Sequence, residues 1–122
     1  MIPDMPAIQH VSLEVEPGLV DEEVRFWEVL GFERIERPEG IGGSSFWLGA
    51  GDQAIHLLAV ESPKVPGEGH VALLEPDLGP VAEALAGDGF RVEEAAPHWG
   101  AERFKATSPS GHLVEVMAAR PG

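Results

Sequence analysis

One four-residue pattern, His-Val-Xaa-Leu, occurs twice in the chain, as residues 10–13 and as residues 70–73, so the two copies are 60 residues apart. In both copies polar or small residues alternate with large aliphatic ones, which is typical of a strand with one buried face. A helical stretch follows each copy and ends at a Gly-Phe pair, Gly31-Phe32 in the first half and Gly89-Phe90 in the second. A repeat of this kind within 122 residues predicts one domain built from two similar units.

Alternation and turn signals predict the same order of elements, strand-helix-strand-strand-strand, in each half. The predicted strands cover residues 8–15, 32–37, 45–48, 54–60, 70–74, 90–94, 102–107 and 113–118, and the predicted helices cover residues 19–30 and 78–85. Loops are predicted around Gly42-Gly43 and at residues 96–100, and the Pro- and Gly-rich stretch 61–69 is interpreted as the joint between the halves. We therefore expect a single α+β domain over residues 1–122, with βαβββ repeats at about 8–60 and 69–118. The repeats are expected to form a curved mixed sheet with the helices on its outer face.

Charge and composition argue against several functional classes. A formal net charge of −13 disfavours contact with phosphate backbones, so we expect no nucleic-acid partner. The chain has no cysteine, which excludes disulfides and thiolate metal ligands. No apolar run approaches the roughly 18 residues of a membrane-spanning helix, and residues 1–7 lack the basic and apolar regions of a secretion signal. We therefore expect a cytoplasmic protein with no membrane partner.

Side chains with metal-ligand chemistry occupy corresponding places in the two halves. These candidates are His10, His56, His70 and Glu115. His56 lies 46 residues after His10, and Glu115 lies 45 residues after His70. On every strand the candidate ligand is on the face opposite the large aliphatic residues, where its neighbours are mostly small. Imidazole and carboxylate groups on one concave face suit a divalent ion, namely Zn, Ni, Mn, Fe or Co, without choosing among them.

Each histidine taken singly also fits a hydrogen-bonded, half-buried position without a metal. Glu115 is the stronger indication, because a carboxylate between Val114 and Val116 is costly to bury unless it is paired or bound to metal. The four candidates together, at repeat-equivalent positions, favour a metal site. His98 and His112 have no counterpart in the other half, and we expect both on the surface.

These marks resemble the vicinal oxygen chelate superfamily, which includes lactoylglutathione lyase (glyoxalase), methylmalonyl-CoA epimerase, fosfomycin-modifying enzymes, ring-cleaving dioxygenases and bleomycin-binding proteins. The resemblance covers roughly residues 8–118. It is carried by the strand openings 10–13 and 70–73, by Val-Leu-Gly-Phe at 29–32, and by the closing turn and strand at 108–115. The turn departs from the family pattern in having Ser108 and Ser110 where aspartate is frequent. The marks are specific for the superfamily and uninformative about the member.

The resemblance implies that His10, His70 and Glu115 are the shared metal ligands. It places His56 where the lyase has a carboxylate and the epimerase has an amide. Glu115 is then the one carboxylate in the ligand set, which argues against proton transfer between two carboxylates. Glutathione is disfavoured as a substrate, because the lyases have a basic residue soon after the first ligand, where this chain has Glu14.

The function implied by the resemblance is that of a glyoxalase-like, metal-dependent lyase or isomerase that binds a small substrate through vicinal oxygens on the metal. Glu115 is expected to be both ligand and catalytic base. Candidates for the substrate pocket are Trp47, Trp99, Phe104 and Met117. Two alternatives stay open: a protein that sequesters an antibiotic-like molecule without turnover, and a ring-cleaving extradiol dioxygenase with a two-histidine, one-carboxylate iron site. Exposed sheet edges predict a two-fold symmetric homodimer.

Overall fold

The computed structural model describes residues 5–40 and 45–122, and within them the chain forms eight strands and two helices. The strands are β1 (His10–Val15), β2 (Glu33–Ile35), β3 (Ser45–Ala50), β4 (Gln53–Ala59), β5 (Val71–Leu74), β6 (Arg91–His98), β7 (Ala101–Thr107) and β8 (Leu113–Met117). The helices are α1 (Val20–Val29), which a short 3-10 turn at Pro17–Leu19 precedes, and α2 (Leu78–Gly87). Neither of these helices is long and apolar enough to cross a membrane. The predicted loop at Gly42-Gly43 lies outside the described residues.

The strands form two four-stranded sheets with the same topology, β1-β4-β3-β2 in the first half and β5-β8-β7-β6 in the second. In each sheet the first strand of the repeat runs parallel to the last, and the other neighbours are antiparallel. The register places Ser12 opposite His56 in the first sheet and Ala72 opposite Glu115 in the second. The prediction of an α+β fold made of two βαβββ repeats is confirmed, with the sheet divided into two hydrogen-bonded halves.

Both sheets bury the aliphatic face that the alternation assigned to the core. Helix α1 begins with acidic residues at positions 21–23, which suit the positive end of the helix dipole. Its apolar residues Val20, Val24 and Trp27 are spaced to face one side, and all three are buried. Phe26 meets Phe90 of the second half edge-on, with 5.3 Å between the ring centroids, so one core joins the two repeats. The strand residues at the centre of this core are Ile55, Leu57, Val114 and Val116.

Polar contacts also join the halves, at the turn between β7 and β8. The Glu23 carboxylate in α1 is fully buried and accepts hydrogen bonds from the Ser110 backbone N–H (2.9 Å) and from Trp27 Nε1 (3.0 Å). His112 is buried as well, with its Nε2 2.7 Å from the Glu14 carbonyl oxygen of β1. The prediction that His112 lies on the surface was therefore wrong, because a contact 98 residues away in sequence buries it. His98 is exposed, as predicted.

The hairpin between β6 and β7 is tighter than its sequence indicates. Strand β6 continues to His98, with a register irregularity after Ala95, so residues 96–98 are strand and not loop. Trp99 and Gly100 form the turn with φ values of 40° and 73°. Two consecutive positive φ values match the twist of an antiparallel pair, which explains why two residues suffice to connect the strands. Trp99 holds this conformation while its Nε1 donates to the Ala119 carbonyl oxygen at 2.9 Å.

Candidate functional site

The face of the first sheet opposite the core carries an aromatic cluster of His10, Trp47 and His56. The His56 ring stacks on Trp47 with 4.1 Å between centroids and an interplanar angle of 17°. The His10 ring lies 5.0 Å from Trp47 and 5.9 Å from His56, again between centroids. The parallel pairing of β1 with β4 causes this arrangement, because Ser12 and His56 are direct partners and His10 is one pleat away on the same face. Both predicted ligands of the first half are thus neighbours.

His56 has a free, buried nitrogen. Its Nδ1 lies 3.3 Å from Ser12 Oγ, while Nε2 makes no hydrogen bond within the described part of the chain. Burial lowers the pKa of His56 below its ordinary value of 6.5, and the charge of the nearby His10 lowers it further. When Nδ1–H donates to Ser12, the neutral ring presents the Nε2 lone pair, which is the form that binds metal.

Two more buried polar atoms on this face lack a partner among the described residues, Ser45 Oγ and Trp47 Nε1. Ser45 and Trp47 are two residues apart in β3, so their side chains lie on the same face of the sheet. His56 lies on that face too, since it is the direct cross-strand partner of Trp47. Buried polar groups are normally hydrogen-bonded, and an orphaned group in a native fold calls for an explanation such as a functional role or an ordered water. Three orphans on one face therefore mark the first sheet as a place for a ligand or for ordered water.

The second sheet brings Glu115 close to His70 and to an arginine that the sequence reasoning did not single out. His70 Nε2 lies 4.0 Å from Glu115 Oε1. Arg103 Nη1 donates to Glu115 Oε2 at 2.8 Å, and Arg103 Nε donates to the Ala96 carbonyl oxygen at 2.7 Å. The side chains of Arg103 and Glu115 are only 9% and 13% exposed, so the pair is largely sheltered from water. The carboxylate that seemed costly to bury is thus paired with a cation.

The four predicted ligands form two pairs in one chain. Among residues 5–40 and 45–122, no three His, Asp or Glu side chains come together in a way that could hold a metal ion. Each pair nevertheless has suitable chemistry, imidazole with imidazole in the first half and imidazole with carboxylate in the second. Two ligands that each lie about 2.0–2.2 Å from one ion are about 3–4 Å apart, and the His70–Glu115 separation of 4.0 Å is at the upper end of that range. His70 and Glu115 therefore have both the chemistry and the spacing of two ligands of one ion, whereas His10 and His56, with 5.9 Å between ring centroids, offer the chemistry alone. We call each pair a half-site.

One member of each pair, His10 in the first half and His70 in the second, lines a cavity. The larger, of about 620 Å³, is lined by residues that include His10, Glu33, Ile35, Pro38 and Trp47. The smaller, of about 270 Å³, is lined by His70 and by residues of both halves. Residues 9, 53 and 54 line both cavities, so the spaces beside the two half-sites adjoin each other.

The predicted pocket residues lie in different environments. Trp47 lines the larger cavity. Met117 is buried and is the direct cross-strand partner of Arg103, so it shares the open face of the second sheet. Phe104 packs in the core with Val116 opposite it, and it therefore faces away from the half-sites. Trp99 is 51% exposed at the hairpin turn and is absent from the linings of both cavities.

Comparison with known proteins identifies relatives over almost the whole chain. Residues 8–116 match the family model described as Glyoxalase/Bleomycin resistance protein/Dioxygenase superfamily. A protein of Arabidopsis thaliana named Glyoxylase I 4 is 27% identical over 124 residues, which cover 92% of this chain and 70% of that protein. A glyoxalase family protein from Bacillus anthracis has a similar structure, with a TM-score of 0.82, 24% identity and coverage of 96% of this chain and 98% of that one. The antibiotic-binding protein TnmS3 from Streptomyces is also similar, with a TM-score of 0.70, 16% identity and coverage of 93% and 95%. At these identities the structural similarities establish the fold alone.

Proposed function

Because the chain belongs to the Glyoxalase/Bleomycin resistance protein/Dioxygenase superfamily, we propose that it is a metal-dependent enzyme of the lyase or isomerase type that binds a small substrate through vicinal oxygens. The observation that carries the proposal is the pairing of His10 with His56 and of His70 with Glu115 on the open faces of the two sheets. A divalent ion held by these residues would supply Lewis-acid stabilisation of a developing oxyanion. Its identity is left open among Zn, Ni, Mn, Fe and Co.

The complete site is proposed to form in a homodimer. One chain brings the four candidate ligands together only in pairs, and β1 and β5 each form one edge of their sheets, with β2 and β6 at the opposite edges. Unpaired edges are usually covered in native proteins, and a two-fold axis would bring the first pair of one copy toward the second pair of the other. Sedimentation at micromolar concentration tests this part of the proposal, and a monomer that binds metal at full stoichiometry would contradict it.

Glu115 is proposed as the base that removes a proton from the carbon next to a bound substrate oxygen. Its Oε2 is occupied by Arg103, so Oε1 is the oxygen that faces His70. Oε1 would bind the ion before substrate arrives and would accept the proton once a bound substrate displaces it from the ion. Carboxylates serve as general bases when they lie within hydrogen-bond reach of that proton. Trp47 provides an apolar wall of the larger cavity beside His10, which would exclude water from one side of the substrate.

The test combines metal uptake with proton exchange. Wild-type protein is expected to take up about one divalent ion per chain, a stoichiometry that one structural or catalytic site implies. His10→Ala and His70→Ala are expected to lose that uptake, whereas the exposed His98→Ala serves as the matched control. With hydroxyacetone as the substrate, Glu115→Gln is expected to keep metal but lose solvent-deuterium exchange at the carbon next to the carbonyl. Uptake that is unchanged in both histidine variants would refute the assignment of the site.

A second function, binding of an antibiotic-like molecule without turnover, is favoured by one observation. The larger cavity, about 620 Å³ in volume, is within the range of drug-sized pockets and has His10, Trp47 and Ile35 in its lining. Trp47 fluorescence measured during titration with planar aromatic antibiotics tests this reading, with Trp47→Phe as the control for the signal. Tight binding together with no proton exchange on any hydroxyketone would favour sequestration over catalysis.

A further inference from the structure

The two oxygens of Glu115 have different partners. Oε2 accepts a hydrogen bond from Arg103 Nη1 at 2.8 Å, while Oε1 lies 4.0 Å from His70 Nε2 and makes no hydrogen bond within the described residues. Arg103 is fixed at a second point, because its Nε donates to the Ala96 carbonyl oxygen at 2.7 Å. A planar guanidinium held at two points has little rotational freedom, so it also fixes the plane of the carboxylate.

We propose that Arg103 is a positioning residue that restricts Glu115 to binding metal through Oε1 alone and that keeps metal affinity low. This inference rests on the proposed function, since it concerns the same half-site. Oε2 cannot turn toward an ion beside His70 without breaking the bond to Arg103. A carboxylate that takes one coordination position instead of two leaves room for both vicinal oxygens of a substrate.

Because Arg103 is positively charged, it is expected to lower the affinity of Glu115 for a metal ion. In the metal-free protein the guanidinium already neutralises a carboxylate that is only 13% exposed. An ion that binds Glu115 must share the carboxylate with this cation and is repelled by it, an effect that is strong in a partly buried site. Removal of Arg103 frees Oε2, leaves a sheltered carboxylate without a cation and ends the repulsion, and all three changes favour the metal.

Lys105 provides a control for charge alone. It is the direct cross-strand partner of Glu115, so its positive charge lies on the same face of the second sheet. No hydrogen bond or ion pair joins Lys105 to Glu115. If charge near the site were the whole effect, neutralising Lys105 would act as strongly as neutralising Arg103.

The experiment measures Co²⁺ affinity by calorimetry and the visible absorption of bound Co²⁺ for the wild type, Arg103→Met, Arg103→Lys and Lys105→Gln. Arg103→Met is expected to bind Co²⁺ about tenfold more tightly or better. Its absorption per ion is expected to fall, because a second carboxylate oxygen raises the coordination number and weakens ligand-field bands. Lys105→Gln is expected to stay within about threefold of the wild type, since Arg103 still holds Glu115. Arg103→Lys keeps the charge but loses the two-point hold of the guanidinium, so its affinity is expected to lie between those of the wild type and Arg103→Met. Arg103→Gln replaces Arg103→Met if circular dichroism shows that the methionine variant does not fold.

The outcomes separate this inference from the proposed function. A tenfold loss of affinity in Arg103→Met, or an unchanged affinity and spectrum, would overturn the role of Arg103 while the metal site stands. If the wild type takes up no Co²⁺ but Arg103→Met does, the role of Arg103 is supported and a resident metal in the native protein is not. Absence of uptake in both proteins would overturn both ideas.

Discussion

Replacing Glu23 by alanine is expected to destabilise the fold much more than any nearby surface change. The Glu23 carboxylate is fully buried, and its two oxygens accept hydrogen bonds from the Ser110 backbone N–H and Trp27 Nε1 at 2.9 and 3.0 Å. A hydrogen bond to a charged group contributes about 1.5–3 kcal/mol, and each donor left buried without a partner costs about 1–3 kcal/mol. Relief from burying a charge offsets part of the loss. We therefore expect Glu23→Ala to lower the free energy of unfolding by about 3 kcal/mol.

The assay is urea unfolding followed by circular dichroism and Trp fluorescence. Glu22→Ala is the matched control, because Glu22 occupies the same helical turn but is exposed, and its loss is expected to cost less than about 1 kcal/mol. Glu23→Gln keeps the volume but has a single acceptor oxygen, so one of the two donors meets an amide N–H₂ group. The loss in free energy of unfolding of Glu23→Gln is expected to be about 2 kcal/mol, between the losses of Glu22→Ala and Glu23→Ala.

The thermal midpoint offers a second measure. At this chain length about 1 kcal/mol corresponds to a shift of about 4 °C, so Glu23→Ala is expected to unfold about 12 °C below the wild type. If the free energies of unfolding of Glu23→Ala and Glu22→Ala differ by less than about 1 kcal/mol, the idea that the buried carboxylate joins the two halves is refuted. A double-mutant cycle with Trp27→Phe isolates the hydrogen bond to Nε1 from the one to Ser110.

Three other predictions concern pH, backbone and metal. Because the pKa of His56 is lowered below 6.5, the folded state binds fewer protons than the unfolded state, and the free energy of unfolding is expected to fall as the pH drops through 6.5. His56→Gln should flatten this dependence in urea titrations between pH 7.5 and 5. Gly89→Ala is expected to destabilise by about 1–2 kcal/mol, because Gly89 has a φ of +86°. Gly87→Ala, in the last turn of helix α2 and with open space around the added methyl, should stabilise by about 0.5–1 kcal/mol in the same assay. Treatment with a chelator is expected to lower the thermal midpoint of the wild type but not of Glu115→Ala, by the linkage between ligand binding and folding.

The fold could be predicted because its signals are local. Period-two alternation assigns each strand residue to a face without any knowledge of its partners, and the buried positions of Ile55 and Val114 follow from it. The same rule assigns His10 and His56 to the face of their strands opposite the aliphatic residues, and in the structure their ring centroids are 5.9 Å apart. Gly31 and Gly89 end their helices with positive φ values, as a Gly after a periodic apolar run indicates.

The position of Arg103 near Glu115 could have been predicted from the sequence, but it was not. The turn that follows Thr107 pairs that residue with Leu113, and counting outward from it places Lys105 opposite Glu115 and Arg103 opposite Met117. Alternation along the pair then puts all of these on one face, next to a carboxylate in need of a partner. Counting does not give the direction of a side chain. Arg103 reaches diagonally to Glu115, whereas Lys105, which lies directly opposite Glu115, makes no hydrogen bond to it.

The burial of His112 and the division of the ligands into pairs depend on long-range packing. His112 reaches a backbone carbonyl of β1, and nothing in the residues around it encodes that contact. Contacts between the two halves, such as that of Glu23 in α1 with Ser110 in the turn before β8, are likewise long-range. Repeat symmetry identifies which residues correspond but gives no distance between the halves.

The two halves have the same fold but keep the charge of their candidate ligands low in different ways, and this difference bears on the proposed chemistry. Burial lowers the pKa of His56, which stacks on Trp47, so this side chain is neutral and adds no positive charge to the site. In the second half the charge of Glu115 is already balanced by Arg103. The proposed ligands His56 and Glu115 therefore add little net charge to the site, although the chain carries a net charge of −13. A divalent ion bound there would keep most of its charge for the substrate oxygens, which favours stabilisation of an oxyanion at the expense of metal affinity.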